Sequence, residues 1–174
     1  MMFANHILMK NGADGIVFGF LNPDGTLRVD WTKQMVELIH SYGKEAVFHR
    51  AIDCAEDIDG GIEQLIELKV DRVLTSGGMN TAWEGREVIA RLQKNYGDKI
   101  EILPGAGITA SNAAWCREQM GVDQMHAAIH RTAYDVSCQH NTAIYFGGCI
   151  YPPEDRYKIA DSAAIAEFYQ EANK

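Results

Sequence analysis

The chain has 174 residues, 47% of them apolar and 23% charged, a composition suited to one soluble globular domain with a packed core. Its formal net charge of −8, with no Lys/Arg-rich run, excludes a nonspecific nucleic-acid binder that works through phosphate contacts. No apolar run approaches the roughly 18 residues of a membrane helix, and residues 1–10 lack the basic and apolar regions of a secretory signal. A cytoplasmic protein is expected.

One grammar recurs along the chain. Gly12-Ala13-Asp14-Gly15-Ile16-Val17, Lys69-Val70-Asp71-Arg72-Val73-Leu74 and Gly121-Val122-Asp123-Gln124-Met125-His126 each follow a helical pattern, turn, place an Asp and enter an apolar stretch. A helix that stops before a buried parallel strand needs a permissive backbone there, and the Asp can bond local amides. Strands are therefore predicted over residues 15–19, 46–49, 72–75, 101–103 and 124–127. Helices are predicted between them. Residues 31–42, entered by Asp30, carry Met35, Leu38 and Ile39 at helical spacing. Residues 58–68 carry Ile62, Leu65 and Ile66 behind a capping Asp57. Residues 82–96 carry Val88, Ile89 and Leu92, with Glu84 and Glu87 near the positive end, and residues 111–120 form a shorter helix. Strands and helices alternating at steps of roughly 24–30 residues define an α/β fold with a parallel sheet. Behind it come an apolar stretch at 143–146, Gly147-Gly148, Pro152-Pro153 and a final capped helix over 161–172.

Chemistry gathers where strands should end. Ala46-Val47-Phe48 runs into His49, Arg50 and Asp53, and ligands of parallel α/β proteins bind at the carboxyl ends of strands. These three are candidate catalytic residues, with His49 as acid/base and Arg50 or Asp53 orienting it or holding an anion. A structural Arg50–Asp53 pair beside a hydrogen-bonded core histidine is the alternative. Thr75, Ser76, Gly77 and Gly78 follow the third strand, while Gly105 and Gly107 follow the fourth. Successive amides in such loops form nests for phosphate or carboxylate, though the same glycines also serve tight turns. Neither loop matches GxGxxG or GxxxxGK[ST], so no nucleotide cofactor is indicated. His126 ends the fifth strand and completes the candidate anion-binding set. Cys54, Cys116, Cys138 and Cys149 show no CxxC or CxH spacing and are expected to stay reduced.

Gly12-Ala13-Asp14-Gly15-Ile16-Val17-Phe18-Gly19, Phe48-His49-Arg50-Ala51-Ile52-Asp53, Val70-Asp71-Arg72-Val73-Leu74-Thr75-Ser76-Gly77 and Leu103-Pro104-Gly105-Ala106-Gly107-Ile108, in this order, resemble the CutC family of copper homeostasis proteins. The resemblance runs from about Asn11 onward and implies a TIM-type (β/α) barrel, a cytoplasmic location and a possible copper ligand. It also implies roughly three further βα units ahead of residue 15, out of the eight of such a barrel. The cysteines proposed as copper ligands in the family lie in those units, and none of the four cysteines here matches them. Soft Cu(I) prefers thiolate and thioether, for which Cys54, Met79 and Met125 are the available set. The expected fold is thus an incomplete TIM-type barrel of about five parallel strands with flanking helices. The expected function is a part in copper homeostasis, implied by the resemblance, or alternatively that of an enzyme acting on a small anionic substrate. Two open sheet edges and an uncovered interior at Val17, Phe48, Leu74 and Leu103 lead us to expect a homo-oligomer.

Overall fold

The computed structural model describes residues 2–141, 143–145 and 153–173. Helix α1 (Met2–Lys10) leads into strand β1 (Gly15–Phe18), and α2 (Val29–His40) into β2 (Glu45–Phe48). A 3-10 turn, Arg50–Cys54, precedes α3 (Ile58–Glu67), β3 (Arg72–Thr75), α4 (Arg86–Tyr96), β4 (Glu101–Pro104) and α5 (Ala113–Met120). The four strands form one parallel sheet in the order β1-β2-β3-β4. A separate antiparallel hairpin, β5 (His130–Tyr134) with β6 (Arg156–Ala160), and helix α6 (Ser162–Ala172) complete the described chain.

Except between α4 and β4, where Gly97 stands at φ −63°, the turns from helix to strand use the left-handed backbone that the repeat demands. Gly12, Gly43 and Gly121 supply it before β1, before β2 and after α5, and Lys69 takes it before β3 at φ 61°. Asp71 does not bond a local amide. Its carboxylate reaches sideways to accept from the Ala46 amide at 2.7 Å and from His40 Nε2 at 2.8 Å, tying β3 to β2 and α2.

Register assigns the faces. Ile16 pairs with Ala46, Phe18 with Phe48, Phe48 with Val73, and Val73 with Ile102, so these side chains share the helix-covered face and are buried. Met35, Ile39, Ile62, Leu65, Ile89 and Leu92 from α2, α3 and α4 pack down on them. Val17, Val47, Arg72, Leu74, Glu101 and Leu103 occupy the other face, which a closed barrel would turn inward. Val17 there is 61% exposed, while Leu74 and Leu103 are half-buried. Phe48, expected on that face, lies on the helix side at 0% exposure. The four-residue strand alternates, and Val47 takes the inner place.

Three further expectations change. Residues 124–127 do not form a fifth strand: only His126 pairs with Gly105 in a single parallel bridge, after which the chain leaves for the hairpin. Asp57 precedes α3 without a side-chain capping bond, and α4 starts at Arg86 because Thr81 and Glu84 close a turn of their own. Asp161 does cap α6, accepting from the Ala164 amide. Ile144 and Tyr145 are exposed, while Phe146, Gly147, Gly148, Cys149 and Pro152 lie outside the described residues.

Candidate functional site

The site begins where β2 runs out. His49 keeps an extended backbone, and its Nδ1 accepts the Ala51 amide at 3.0 Å, capping the 3-10 turn. An Nδ1 that accepts from an amide carries no proton, so the neutral ring bears its hydrogen on Nε2. Gly19, at the end of neighbouring β1, makes room: a Cβ there would lie 2.5 Å from His49 Cε1 and Nδ1.

That turn swings Asp53 back under the loop after β3. Its carboxylate, 6% exposed, accepts from Thr75 Oγ1 at 2.6 Å, the Ser76 amide at 3.0 Å, Ser76 Oγ at 2.9 Å and the Gly78 amide at 3.1 Å. Arg50 Nε donates to it at 2.7 Å. Burial alone would push the Asp53 carboxyl upward, but the hydrogen bonds from Thr75, Arg50, Gly78 and Ser76 outweigh it and hold the group below its ordinary value. Gly77 and Gly78 stand at φ 70° and 74°, the conformation that turns these amides inward, and the Gly77 amide donates to Thr75 Oγ1. The nest expected to receive an anion therefore already holds a carboxylate, the chain's own.

Arg50 closes the arrangement. Its Nη2 donates to Ser76 Oγ at 2.6 Å and to the Met79 carbonyl at 3.0 Å. The side chain nevertheless remains 40% exposed. On the adjacent strand end the Gly105 amide donates to the Thr75 carbonyl, and the Ala106 carbonyl accepts from the Ala82 amide. Ala106 has φ 81°, a conformation that costs a non-glycine residue about 1 kcal/mol or more, and Gly107 follows at 73°. His126 is exposed; its amide bonds the Pro104 carbonyl and its ring lies beside Gly105.

Arg50, Asp53, Thr75, Ser76, Gly77 and Gly78 thus form one hydrogen-bonded structure, with His49 just before it in the chain and Gly105, Gly107 and His126 on the neighbouring strand end. Gly19, Ala106 and the Met79 carbonyl belong with them; of these, Gly19 and the Met79 carbonyl were missed. The sequence signal for Gly19 is a glycine directly after an apolar strand. For Ala106 it is a small residue between two glycines. The Met79 carbonyl carries no residue-type signal at all. At the opposite, amino ends of the strands lies a concavity of about 590 Å³ among Lys69, Asp71, Lys99, Glu101 and Asp123, where barrel proteins keep stabilising rather than reacting groups.

Metal ligation finds no such assembly. Among the described residues no three His, Cys, Asp or Glu side chains sit together as a metal would need. Cys54 is exposed, Met79 is half exposed and Met125 packs against the core. Burial pushes the Cys116 thiol up, away from the thiolate that copper prefers. The donor set of the described residues does not fit a resident copper ion.

A parallel βα sheet with its polar network at the strand carboxyl ends defines a TIM-barrel-like protein, here with the barrel open. The chain belongs to the CutC family, whose model matches residues 2–131. A family protein CutC from Treponema denticola is 44% identical over 154 residues, covering 88% of this chain and 62% of that protein. Another from Vibrio cholerae is 40% identical over 118 residues, covering 68% and 46%. The chain therefore spans about three fifths or less of the length of these relatives. A solved CutC from Streptococcus agalactiae, named for copper homeostasis, superposes with a TM-score of 0.62 at 29% identity, over 67% of this chain and 57% of that one.

Proposed function

We propose that this CutC-family chain binds a small phosphate- or carboxylate-bearing anion at the carboxyl ends of β2, β3 and β4. The observation that carries this reading is the state of Arg50. Asp53, Ser76 and the Met79 carbonyl fix its Nε and Nη2, yet the side chain remains 40% exposed, leaving Nη1 as a preset donor. Asp53 fills the Ser76–Gly78 nest, so Thr75, Ser76, Gly77 and Gly78 act as the frame that sets Arg50. The incoming anion meets Arg50, the Gly105–Gly107 turn, His126 and the Nε2–H of His49. With its tautomer fixed, His49 enters as a hydrogen-bond donor rather than as a base. Titration of the protein with inorganic phosphate and with small dicarboxylates, followed by calorimetry, tests this. Saturable binding that Arg50→Ala weakens about 10- to 100-fold is expected, the worth of charge-assisted hydrogen bonds. Equal binding by both proteins contradicts it.

A part in copper homeostasis is proposed from the name of the Streptococcus agalactiae relative. Given the donors present, that part runs through the anion site, and Cu(I) binds this chain weakly and without defined stoichiometry. Competition against a Cu(I) chelator checks it: one tight equivalent, lost on Cys54→Ser, would place a copper site where none is proposed. We place the protein in the cytoplasm on the strength of cysteines without disulfide or metal spacing; among the described residues no helix is long and apolar enough to cross a membrane. Self-association covers its open sheet face, and nucleic acid is not a partner.

A further inference from the structure

The anion site is built from two separate pieces of chain, the Arg50–Asp53–Ser76 network and the Gly105–Gly107 turn. One short segment, Thr81–Gly85, touches both. It leads into α4 as a capping box, in which a side chain and an amide satisfy each other reciprocally. Thr81 Oγ1 accepts the Glu84 amide at 3.2 Å, while Glu84 Oε2 accepts the Thr81 amide at 3.0 Å and the Thr81 hydroxyl at 3.1 Å. The Gly85 amide donates to the Thr81 carbonyl at 3.2 Å and closes the turn. Towards the network, Gly85 packs so tightly that a Cβ on it would clash with the Ser76 carbonyl oxygen, and a Cβ on Gly77 would lie 2.6 Å from the Gly85 carbonyl oxygen. Towards the other piece, the Ala82 amide donates to the Ala106 carbonyl at 2.9 Å, and a Cβ on Gly107 would lie 3.1 Å from Thr81 Cγ2. Ala106 depends on such a contact, because an L-residue keeps φ 81° only where its surroundings impose it. The segment is itself anchored. Trp83 stacks on Trp115 of α5 with ring centroids 3.7 Å apart, and the Arg86 guanidinium lies 4.5 Å from the centre of the Trp83 ring. Asn112, at the start of α5, donates to the Gly107 carbonyl at 3.0 Å. The contacts therefore run in a ring from Thr81 through Trp83, Trp115 and Asn112 to Gly107 and back.

We propose that the Thr81–Gly85 turn is the spacer of the anion site, with Thr81 and Glu84 as positioning residues that set its two pieces at one fixed separation. They act through other groups. The capping box holds the Ala82 amide on the Ala106 carbonyl and Gly85 against Ser76, so the donors of both pieces are in place before the anion arrives. An anion that meets preset donors does not spend binding energy on ordering them. Without the box, Ala106 relaxes from its left-handed conformation, and the Gly105–Gly107 turn loses its alignment with Arg50. This inference rests on the anion site proposed above and names what keeps it assembled.

Calorimetric titration of the full chain and its variants with inorganic phosphate tests it, with circular dichroism confirming each fold. Glu84→Ala is expected to raise the Kd about five- to tenfold, the equivalent of one lost cap. Thr81→Val, which removes the hydroxyl and keeps the methyl beside Gly107, should raise it about threefold, and it decides the matter if Glu84→Ala does not fold. Glu84→Gln still caps Thr81 through its side-chain carbonyl and should bind within about twofold of the wild type. Arg91→Ala removes the ion pair to Asp59 further along α4, so it loosens the same helix away from the site and should also stay within about twofold. Phosphate affinity unchanged in Glu84→Ala and Thr81→Val, lost equally in Glu84→Gln, or lost equally in Arg91→Ala overturns the spacer and leaves the anion site standing. A wild type that binds no phosphate overturns both.

Discussion

Asp53 is the residue on which the candidate site depends. Five donor groups converge on its buried carboxylate, which no neutral side chain can satisfy in the same way. Asp53→Asn turns an amide N–H toward donors, and we expect it to cost about 2–3 kcal/mol at neutral pH, in the range for hydrogen bonds to a charged group, as read by urea unfolding. The pH dependence has a definite sign. The folded carboxyl titrates below its unfolded value, so its contribution is full above about pH 4 and is lost as pH falls through the folded value. The wild type should therefore lose stability on acidification more steeply than Asp53→Asn; parallel pH curves would contradict the network. Gly19→Ala tests the neighbouring residue. Its methyl must displace the His49 ring, and a cost of about 1–3 kcal/mol is expected from thermal melts. The abrupt change from Val47-Phe48 to three ionisable groups made His49, Arg50 and Asp53 legible in the sequence. What it does not show is whether Asp53 faces a ligand or the chain's own amides. That depends on how the 3-10 turn folds back across 23 residues of sequence to Ser76.

At the scale of elements, the recurring turn-Asp-strand pattern marked β1 and β3, because helix exit, left-handed turn and buried strand are all local demands, while its third instance, before residues 124–127, led to no strand. Faces were less legible. Strands of four residues with apolar side chains on both sides carry almost no alternation, so Phe48 and Val47 are distinguished only by register with β1 and β3. Residues 124–127 resemble a strand in composition, but only His126 pairs beside β4, through the single bridge to Gly105, before the chain leaves for the β5–β6 hairpin. Mutation separates the two faces. Phe48→Ala opens a cavity under α2 and should cost about 3–5 kcal/mol in equilibrium unfolding. Val17→Ser, on the open face, should change the stability of the isolated chain by no more than about 0.5 kcal/mol. Equal losses at both positions would mean that the inner face is already covered within one chain.

Over the whole molecule, a well-packed helix-covered face supports a row of polar strand ends, while the opposite face lies open. Leaving Val17, Leu74 and Leu103 partly wet forgoes stabilisation on the order of 1.5–3 kcal/mol for each side chain fully buried, which is large beside a total stability of roughly 5–15 kcal/mol. The strand ends of β2 and β3 hold the Arg50 network between themselves. The central claim is that these strand ends receive an anion through Arg50. Its most direct measurement is a crystal structure of the protein grown or soaked at high phosphate concentration. Phosphate density is expected within hydrogen-bond distance of Arg50 Nη1 and beside the Gly105–Gly107 turn, with Asp53 still seated on Ser76 and Gly78. Clean, empty maps there, or Arg50 turned away from the strand ends, would contradict it.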